Sequence, residues 1–421
     1  MKVLIWDDFP LLNIGGPPGY LFNIHEYLKQ HPCQEIVFLS DILKGKRENT
    51  NYSSLSNIDN QKPDACGLKR IISFFVPKLL LRTCCRVRDF FKIPLLEAID
   101  FHIGQFRIIK RPLSLEELNQ FDYVHFHILT QFTSFCTSYK DYKCKTILTS
   151  HCPCSFVDEM MENKSCFVKL FRQIGLWNES RAYYSANYIM FPCREAREPY
   201  EKNYQLKRAF SRNERKFFYV TSSITDKSID LLKFKPLSQL GIPPQSFVIC
   251  FFGRHISIKG YDILKEVGMA LLNDHPNLYI ICAGKGDIVP PKHDRWIELG
   301  FVDNVNEWMS QCDLYILPNK DTYFDLVLLE ILRASLPVVI SNKGGNNYFK
   351  KLPEFGISAI DYFDLKNPST IITIVERYIE LKQNNPEEFK RLKENNRLIF
   401  LNYFTQDKYI ENYIKSLSEL E

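Results

Sequence analysis

At 421 residues the chain is long enough for two domains, each with its own core. An apolar fraction of 45% and a charged fraction of 24% exclude a disordered or fibrous chain, and no run of about 18 apolar residues predicts a membrane span. Residues 1–215 hold 30 Lys and Arg against 23 Asp and Glu, and residues 216–421 hold 24 against 26, so the excess positive charge lies in the first half. That asymmetry predicts an acidic partner there, anionic lipid or a diphosphate, and not nucleic acid, for which no recognition motif accompanies the charge.

The opening MKVLIWDDFP has an apolar run too short for a signal peptide, and a cytoplasmic location is expected. Val3–Trp6 reads as a buried strand, Asp7–Pro18 as a turn-rich loop, and Tyr20–Gln30 as an amphipathic helix. Gly15 and Gly16 precede that helix, where a phosphate or sugar can approach bare amides. Glu35–Ser40 is a second strand, completing a βαβ start.

After a polar stretch at 42–65 comes KRIISFFVPKLLLRTCCRVRDFFK, residues 69–92. Lys69, Arg70, Lys78, Arg82, Arg86, Arg88 and Lys92 interleave there with Phe and Leu, and Lys78, Arg82 and Arg86 fall on one helical face. Such a helix either lies on anionic lipid or near the acceptor, on the membrane's inner face, or buries its apolar side in the core with a solvated basic face.

FDYVHFHIL (121–129) alternates as a strand, with His125 and His127 on one side. KTILTSH (145–151) is another, and it puts His151 at its carboxyl end, where ligands bind in parallel α/β sheets. Cys152 and Cys154 adjoin His151, but a second ligand pair at metal spacing is missing, so no metal is expected. Thirteen cysteines without a paired CxxC framework fit reduced thiols. Asn187–Pro192 is a strand, 194–208 a charged helix, and 211–246 holds the crossover between domains.

The second half alternates strand and helix, with strands expected at 247–252, 278–283, 297–302, 314–318 and 337–341. Gly253 ends the first of these, and Arg254 and Lys259 flank the loop before a helix: two cations at a strand's carboxyl end make an oxyanion site. Asp321, Thr322 and Asp325 suit the N-cap of the next helix, whose residues Leu326–Leu332 are apolar except for Glu330. A carboxylate buried there costs several kcal/mol, on the order of magnitude, unless something such as a ligand's hydroxyl pair hydrogen-bonds it.

GR-x4-KG at Gly253–Gly260, the Glu330 helix, PVV at 337–339 and Gly344-Gly345 resemble the donor domain of retaining GT-B glycosyltransferases of family 4. The resemblance implies an α/β fold of two Rossmann-like domains facing a cleft. It places an acceptor-binding domain at 1–215, a nucleotide-sugar domain at 216–402, and a last helix at 403–421 returning to the first domain. By the same resemblance Arg254 and Lys259 bind the nucleotide diphosphate, Glu330 the ribose, and His151 contacts the donor sugar. The Gly15-Gly16 loop faces the donor, Gly284-Lys-Gly286 lets backbone approach the nucleotide, and the loop after Phe301-Val302 binds the base. Tyr323, Phe324, Asp325 and Leu326 belong to the donor loop. The chain departs from the family's E-x7-E pattern, with Thr322 at the first acid and Asp325 at the usual glycine. The nucleotide part of the site therefore reads as intact and the sugar part as altered.

The implied activity is metal-independent, retaining sugar transfer from a nucleotide sugar, without a cofactor, to a glycan or polyprenyl-diphosphate-linked acceptor in capsule or lipopolysaccharide synthesis. Two alternatives stand beside it: a nucleotide-sugar epimerase on the same fold, and a non-catalytic relative binding nucleotide sugar or a partner enzyme at the membrane.

Overall fold

The computed structural model describes residues 1–12, 16–49, 111–161, 166–227 and 237–420. Gly15 and the basic segment 69–92 lie outside the described residues. The chain forms two compact units: Met1–Phe191 with Tyr200–Tyr219 and Ser416–Glu421, and Pro192–Pro199 with Val220–Lys415.

The first unit is built on a six-stranded parallel sheet in the order β2-β1-β3-β4-β5-β6. The strands are β1 Val3–Trp6, β2 Ile36–Phe38, β3 Tyr123–Phe126, β4 Lys145–Thr149, β5 Tyr188–Phe191 and β6 Phe217–Tyr219. All four β1 residues are buried, as a central parallel strand covered on both faces requires. The following helix, Pro17–Gln30, starts on two prolines, whose fixed φ suits a first turn, and it buries Tyr20, Leu21, Ile24 and His25. The charged segment expected as one helix at 194–208 is broken instead. Asn203 interrupts it because its Oδ1 accepts from the amides of Gln205 (2.9 Å) and Leu206 (3.3 Å), starting a separate helix at Tyr204–Arg212.

The second unit has its own six-stranded parallel sheet, in the order β12-β11-β10-β7-β8-β9. Its strands are β7 Phe247–Phe252, β8 Leu278–Ala283, β9 Trp296–Glu298, β10 Leu314–Leu317, β11 Val338–Ser341 and β12 Ile360–Phe363. β9 is shorter than the 297–302 expectation: the chain leaves the sheet at Leu299 and turns at Gly300, whose φ is +71°. The final helix, Gln406–Ser418, is divided between the units at Ser416. Within the first unit the carbonyls of Leu417 and Leu420 accept from the hydroxyls of Tyr123 and Tyr188. No described helix is long and apolar enough to cross a membrane.

In each sheet the strand order reverses once. In the second unit the chain proceeds from β7 to β8 and β9, then returns to place β10 on the other side of β7. The carboxyl ends of β7 and β10 flank this reversal, the usual ligand position in such sheets. In the first unit the reversal lies between β1 and β3.

Candidate functional site

The loop after β7 holds Gly253, Arg254 and Lys259; the loop after β10 holds Asn319, Thr322 and Asp325. Their close approach is built into the backbone. Gly260 has φ +71°, and a Cβ there would stand 1.9 Å from the Pro318 carbonyl oxygen, so only glycine lets the two loops touch. The Lys320 amide donates to the Ile258 carbonyl (2.9 Å), and its ammonium pairs with Asp262 and donates to Ser257 Oγ (2.7 Å). On the far side Gly344 and Gly345 lie against the carbonyls of Thr322 and Tyr323.

Asp325 occupies the centre of this arrangement. One carboxylate oxygen accepts from Lys259 Nζ at 2.8 Å, and the other accepts from Thr322 Oγ1 at 2.6 Å and from Asn319 Nδ2. Burial alone would raise its pKa, but Lys259, Thr322 and Asn319 together outweigh that and hold the carboxyl below its usual range. This corrects the capping expectation. Asp325 stands at the N-cap of Leu326–Arg333, yet its side chain gives that helix no hydrogen bond, because the carboxylate is turned toward Lys259. Thr322 likewise spends its hydroxyl on Asp325, and Asn319, fully buried, is a member of the cluster that sequence reasoning missed. Its place, two residues past the end of β10, was the available signal.

Arg254 is exposed; its carbonyl accepts from the Ile256 amide (2.9 Å), while its side chain makes no hydrogen bond to the described residues, so the guanidinium is available to an anion. Glu330 keeps a solvent-accessible edge, correcting the expectation that it is enclosed. Loss of water is still the largest influence on its carboxyl and raises its pKa, while Arg333 and Lys227 pull the other way. Arg333, one turn on, is buried and donates to the Thr225 carbonyl (2.7 Å) and Asn306 Oδ1 (3.3 Å). The Tyr323 and Phe324 side chains are buried, and Phe324 stacks on Phe349 with ring centres 5.7 Å apart. Leu326 and Val302 are half-buried.

Gly284 has a structural task within this unit. Its φ is +135°, and a Cβ would stand 2.0 Å from the Gly253 carbonyl oxygen, so its missing side chain admits the Gly253–His255 loop. His255, also missed from sequence, is buried beneath that loop and stacks on Tyr261 at 3.9 Å. Burial lowers its pKa, so the ring is neutral at pH 7. Glu298 accepts from both Tyr261 (2.6 Å) and Trp296 (2.7 Å), which fixes the ring that His255 rests on.

In the first unit the pairing of β3 with β4 brings together three imidazoles. His127 Nδ1 and His151 Nε2 are 2.9 Å apart, His125 stacks on His127 with centroids 4.1 Å apart, and His125 Nε2 lies 2.7 Å from Thr149 Oγ1. Tyr20 packs on His151 at 4.7 Å. Burial drives His125 down to about 3 and His151 to about 4, and His127 well below its usual value, so all three are neutral at physiological pH. Among the described residues, His127 Nε2 is buried without a hydrogen-bond partner. Among the described residues, no group of three or more His, Cys, Asp or Glu side chains is placed to hold a metal ion. Gly16 sits before the Pro17–Gln30 helix with φ +78°.

The segment after His151 is held by a buried acid. Glu179 is fully buried and accepts from the amides of Phe156 (3.0 Å) and Val157 (3.1 Å). Burial pushes its pKa up to about 8 despite those bonds. A pKa raised on folding makes a contribution that is present below the unfolded value and lost as pH rises through the folded one. Wild type is thus expected to lose stability relative to Glu179→Gln between about pH 4.5 and 8, by on the order of 5 kcal/mol. Paired thermal melts across that range check it; parallel curves would mean that Glu179 does not titrate there.

Residues 246–354 match the family description "Glycosyl transferases group 1". The chain is 27% identical over 168 residues to the O-antigen biosynthesis glycosyltransferase WclY of Escherichia coli, covering 37% of this chain and 42% of that protein. It is 27% identical over 149 residues to the lipopolysaccharide core biosynthesis mannosyltransferase LpcC of Rhizobium leguminosarum bv. viciae, covering 30% of this chain and 42% of that one. The matched stretch thus spans less than half the length of these curated relatives. Among solved structures, Anabaena Alr3699/HepE in complex with UDP superposes with a TM-score of 0.58 at 16% identity, covering 100% of both chains. Sucrose-phosphate synthase from Thermosynechococcus elongatus gives 0.56 at 14%, covering 100% of this chain and 99% of that one. These likenesses show the fold: it is GT-B, two α/β domains.

Proposed function

We propose that the chain is a glycosyltransferase that moves a sugar from a nucleotide-diphosphate donor to a glycan acceptor with retention of configuration and without a metal. The observation that carries this reading is that Arg254 and Lys259 follow β7 at the strand reversal of the second unit, and Lys259 meets Asp325 at the start of the helix that carries Glu330, inside the stretch that matches the group 1 glycosyl transferases. The leaving group gains negative charge as its bond to the anomeric carbon breaks. Two fixed cations can stabilise that charge, the task that a bound divalent ion performs elsewhere. Lys259 would shift from Asp325 toward the diphosphate, or be shared between them. In the retaining step, the acceptor hydroxyl attacks the anomeric carbon on the face that the diphosphate leaves, and a diphosphate oxygen takes the hydroxyl proton. His151, held near pKa 4, is too weak a base for that proton at neutral pH and suits a neutral hydrogen-bonding role toward the sugar.

WclY and LpcC take part in O-antigen and lipopolysaccharide core synthesis by their names, which favours a lipid-linked glycan acceptor and a cytoplasmic site of action at the membrane for this chain also. The test is a thermal-shift series with UDP, GDP, ADP, CMP and their sugar conjugates in EDTA. Stabilisation by one nucleotide family supports the reading and names the base; stabilisation only once a divalent ion is added sinks its metal-independent part. Glu330→Ala is expected to weaken that nucleotide by at least about tenfold, the loss of a charged hydrogen-bond acceptor. Unchanged affinity by calorimetry would make Glu330 a structural acid. A non-catalytic nucleotide-sugar-binding role has one observation in its favour: the Thr322 hydroxyl is committed to Asp325. Binding of the sugar nucleotide with no transfer or hydrolysis would select it.

A further inference from the structure

The helices Arg172–Ser185 and Tyr204–Arg212 pack side by side in the first unit. Gln205 Nε2 donates to Gln173 Oε1 (2.9 Å) near their starts, and Lys216 Nζ donates to the carbonyls of Tyr184 (2.8 Å) and Ala186 (2.9 Å) beyond their ends. The same offset at both ends makes the helices parallel, so their outer faces form one surface. Half of Arg172–Ser185 is buried, including Leu176, Glu179, Ala182 and Tyr183. Its exposed residues include a stripe at helical spacing, Ile174, Trp177, Arg181 and Tyr184, with Phe171 just before the helix and the polar Gln173 and Ser185 beside it. The Arg181 guanidinium lies over the Trp177 ring at 4.6 Å. The neighbouring helix buries Leu206, Ala209 and Phe210 and exposes Lys207, Arg208 and Arg212. Along the two helices and the turn after them, the described exposed acids come down to Glu214 alone.

We infer that this two-helix face is a docking surface for an anionic lipid bilayer. A core-facing stripe would not leave Trp177 52% exposed, and the adjoining helix turns outward three cations, Lys207, Arg208 and Arg212, beside the uncharged Tyr204 and Ser211. Apolar rings entering the headgroup boundary while cations meet anionic headgroups is the arrangement that such a face fits, and charge selects an anionic leaflet. The surface shares no residue with the proposed donor site, and its test needs no turnover.

The chain supplies its own probe. Of four tryptophans, Trp6, Trp296 and Trp308 are 0%, 5% and 7% exposed, so Trp177 alone can meet lipid among the described residues, and residues 69–92 contain no tryptophan. The full chain would be titrated with vesicles of phosphatidylcholine alone, and of phosphatidylcholine with phosphatidylglycerol, each with brominated acyl chains. The expected result is blue-shifted, quenched tryptophan emission with the anionic vesicles only, reversed by high salt. Trp177→Phe should abolish the quenching while the protein still co-sediments. The triple charge reversal Lys207→Glu, Arg208→Glu, Arg212→Glu, all at exposed positions, should weaken co-sedimentation at least about tenfold. Co-sedimentation of wild type without quenching would assign lipid binding elsewhere in the chain and overturn the inference. So would a concentration-dependent dimer that shifts Trp177 emission without vesicles.

Discussion

Lys259→Ala is expected to lower kcat/KM by at least about 2 kcal/mol, roughly thirtyfold, and to destabilise the fold as well. The two effects have different causes. The rate falls because a cation beside the leaving diphosphate is gone. The fold weakens because Asp325, 11% exposed at its side chain, loses its ion pair and keeps only the hydrogen bonds of Thr322 and Asn319. Removing one partner of a buried pair costs about 3–5 kcal/mol, whereas removing both together is often close to neutral. Lys259→Met with Asp325→Asn should therefore regain stability in urea titrations without regaining the rate. The pH dependence follows from the same pair. Asp325 is held below its usual pKa, so its contribution is present above the unfolded value and is lost as pH falls through the folded one. The stability deficit of Lys259→Ala should be constant from pH 7 down to about 4 and shrink only as pH is lowered further. A variant with full activity would remove Lys259 from the phosphate site; one with a pH-independent deficit would show that the pair is not what stabilises the loop.

The fold was legible where burial is complete. Phe247–Phe252 and Leu278–Ala283 are strands whose ends coincide with their apolar runs, because a central parallel strand is covered on both faces and tolerates no polar interruption. Two of the four sheet edges, β6 and β12, escaped notice. β6 has three residues and one exposed tyrosine, and β12 buries only its first and last residues, so neither carries a pattern distinguishable from a loop. The cations of the candidate site were legible as well, since Arg254 and Lys259 sit at a strand end that the sequence marks. Their partners were not. That Asp325 turns back to Lys259 instead of capping its own helix depends on how near the β7 and β10 loops come. Gly260 against Pro318 sets that distance, and no local pattern reports it. The contact between His127 and His151 depends in the same way on β3 and β4 being neighbours in register.

Gly284→Ala is the second large effect expected. A Cβ at this position would stand 2.0 Å from the carbonyl oxygen of Gly253, and the φ of +135° is strained for any residue with a side chain. The collision cannot be relieved by a small shift, because the two loops are fastened on both sides of it. Gly253 N donates to the Ala283 carbonyl (2.9 Å), Gly284 N to Gly300 (2.8 Å), His255 N to Lys285 (3.0 Å) and Ile288 N to His255 (3.0 Å). Moving the 253–255 loop away means breaking several of these bonds and displacing Arg254 with them. The expected cost is about 3 kcal/mol or more in stability, with weakened binding of any nucleotide that Arg254 contacts. Gly241→Ala is the matched control: its φ is +76°, but a Cβ there would meet no atom within 4 Å, so only the backbone strain remains, about 1 kcal/mol. Denaturation of the two variants separates close approach from strain. If both lose the same amount, Gly284 is needed only for its dihedral angle. A larger loss at Gly284, together with weaker nucleotide binding, would mean that the β8 loop sets the position of the Arg254 loop.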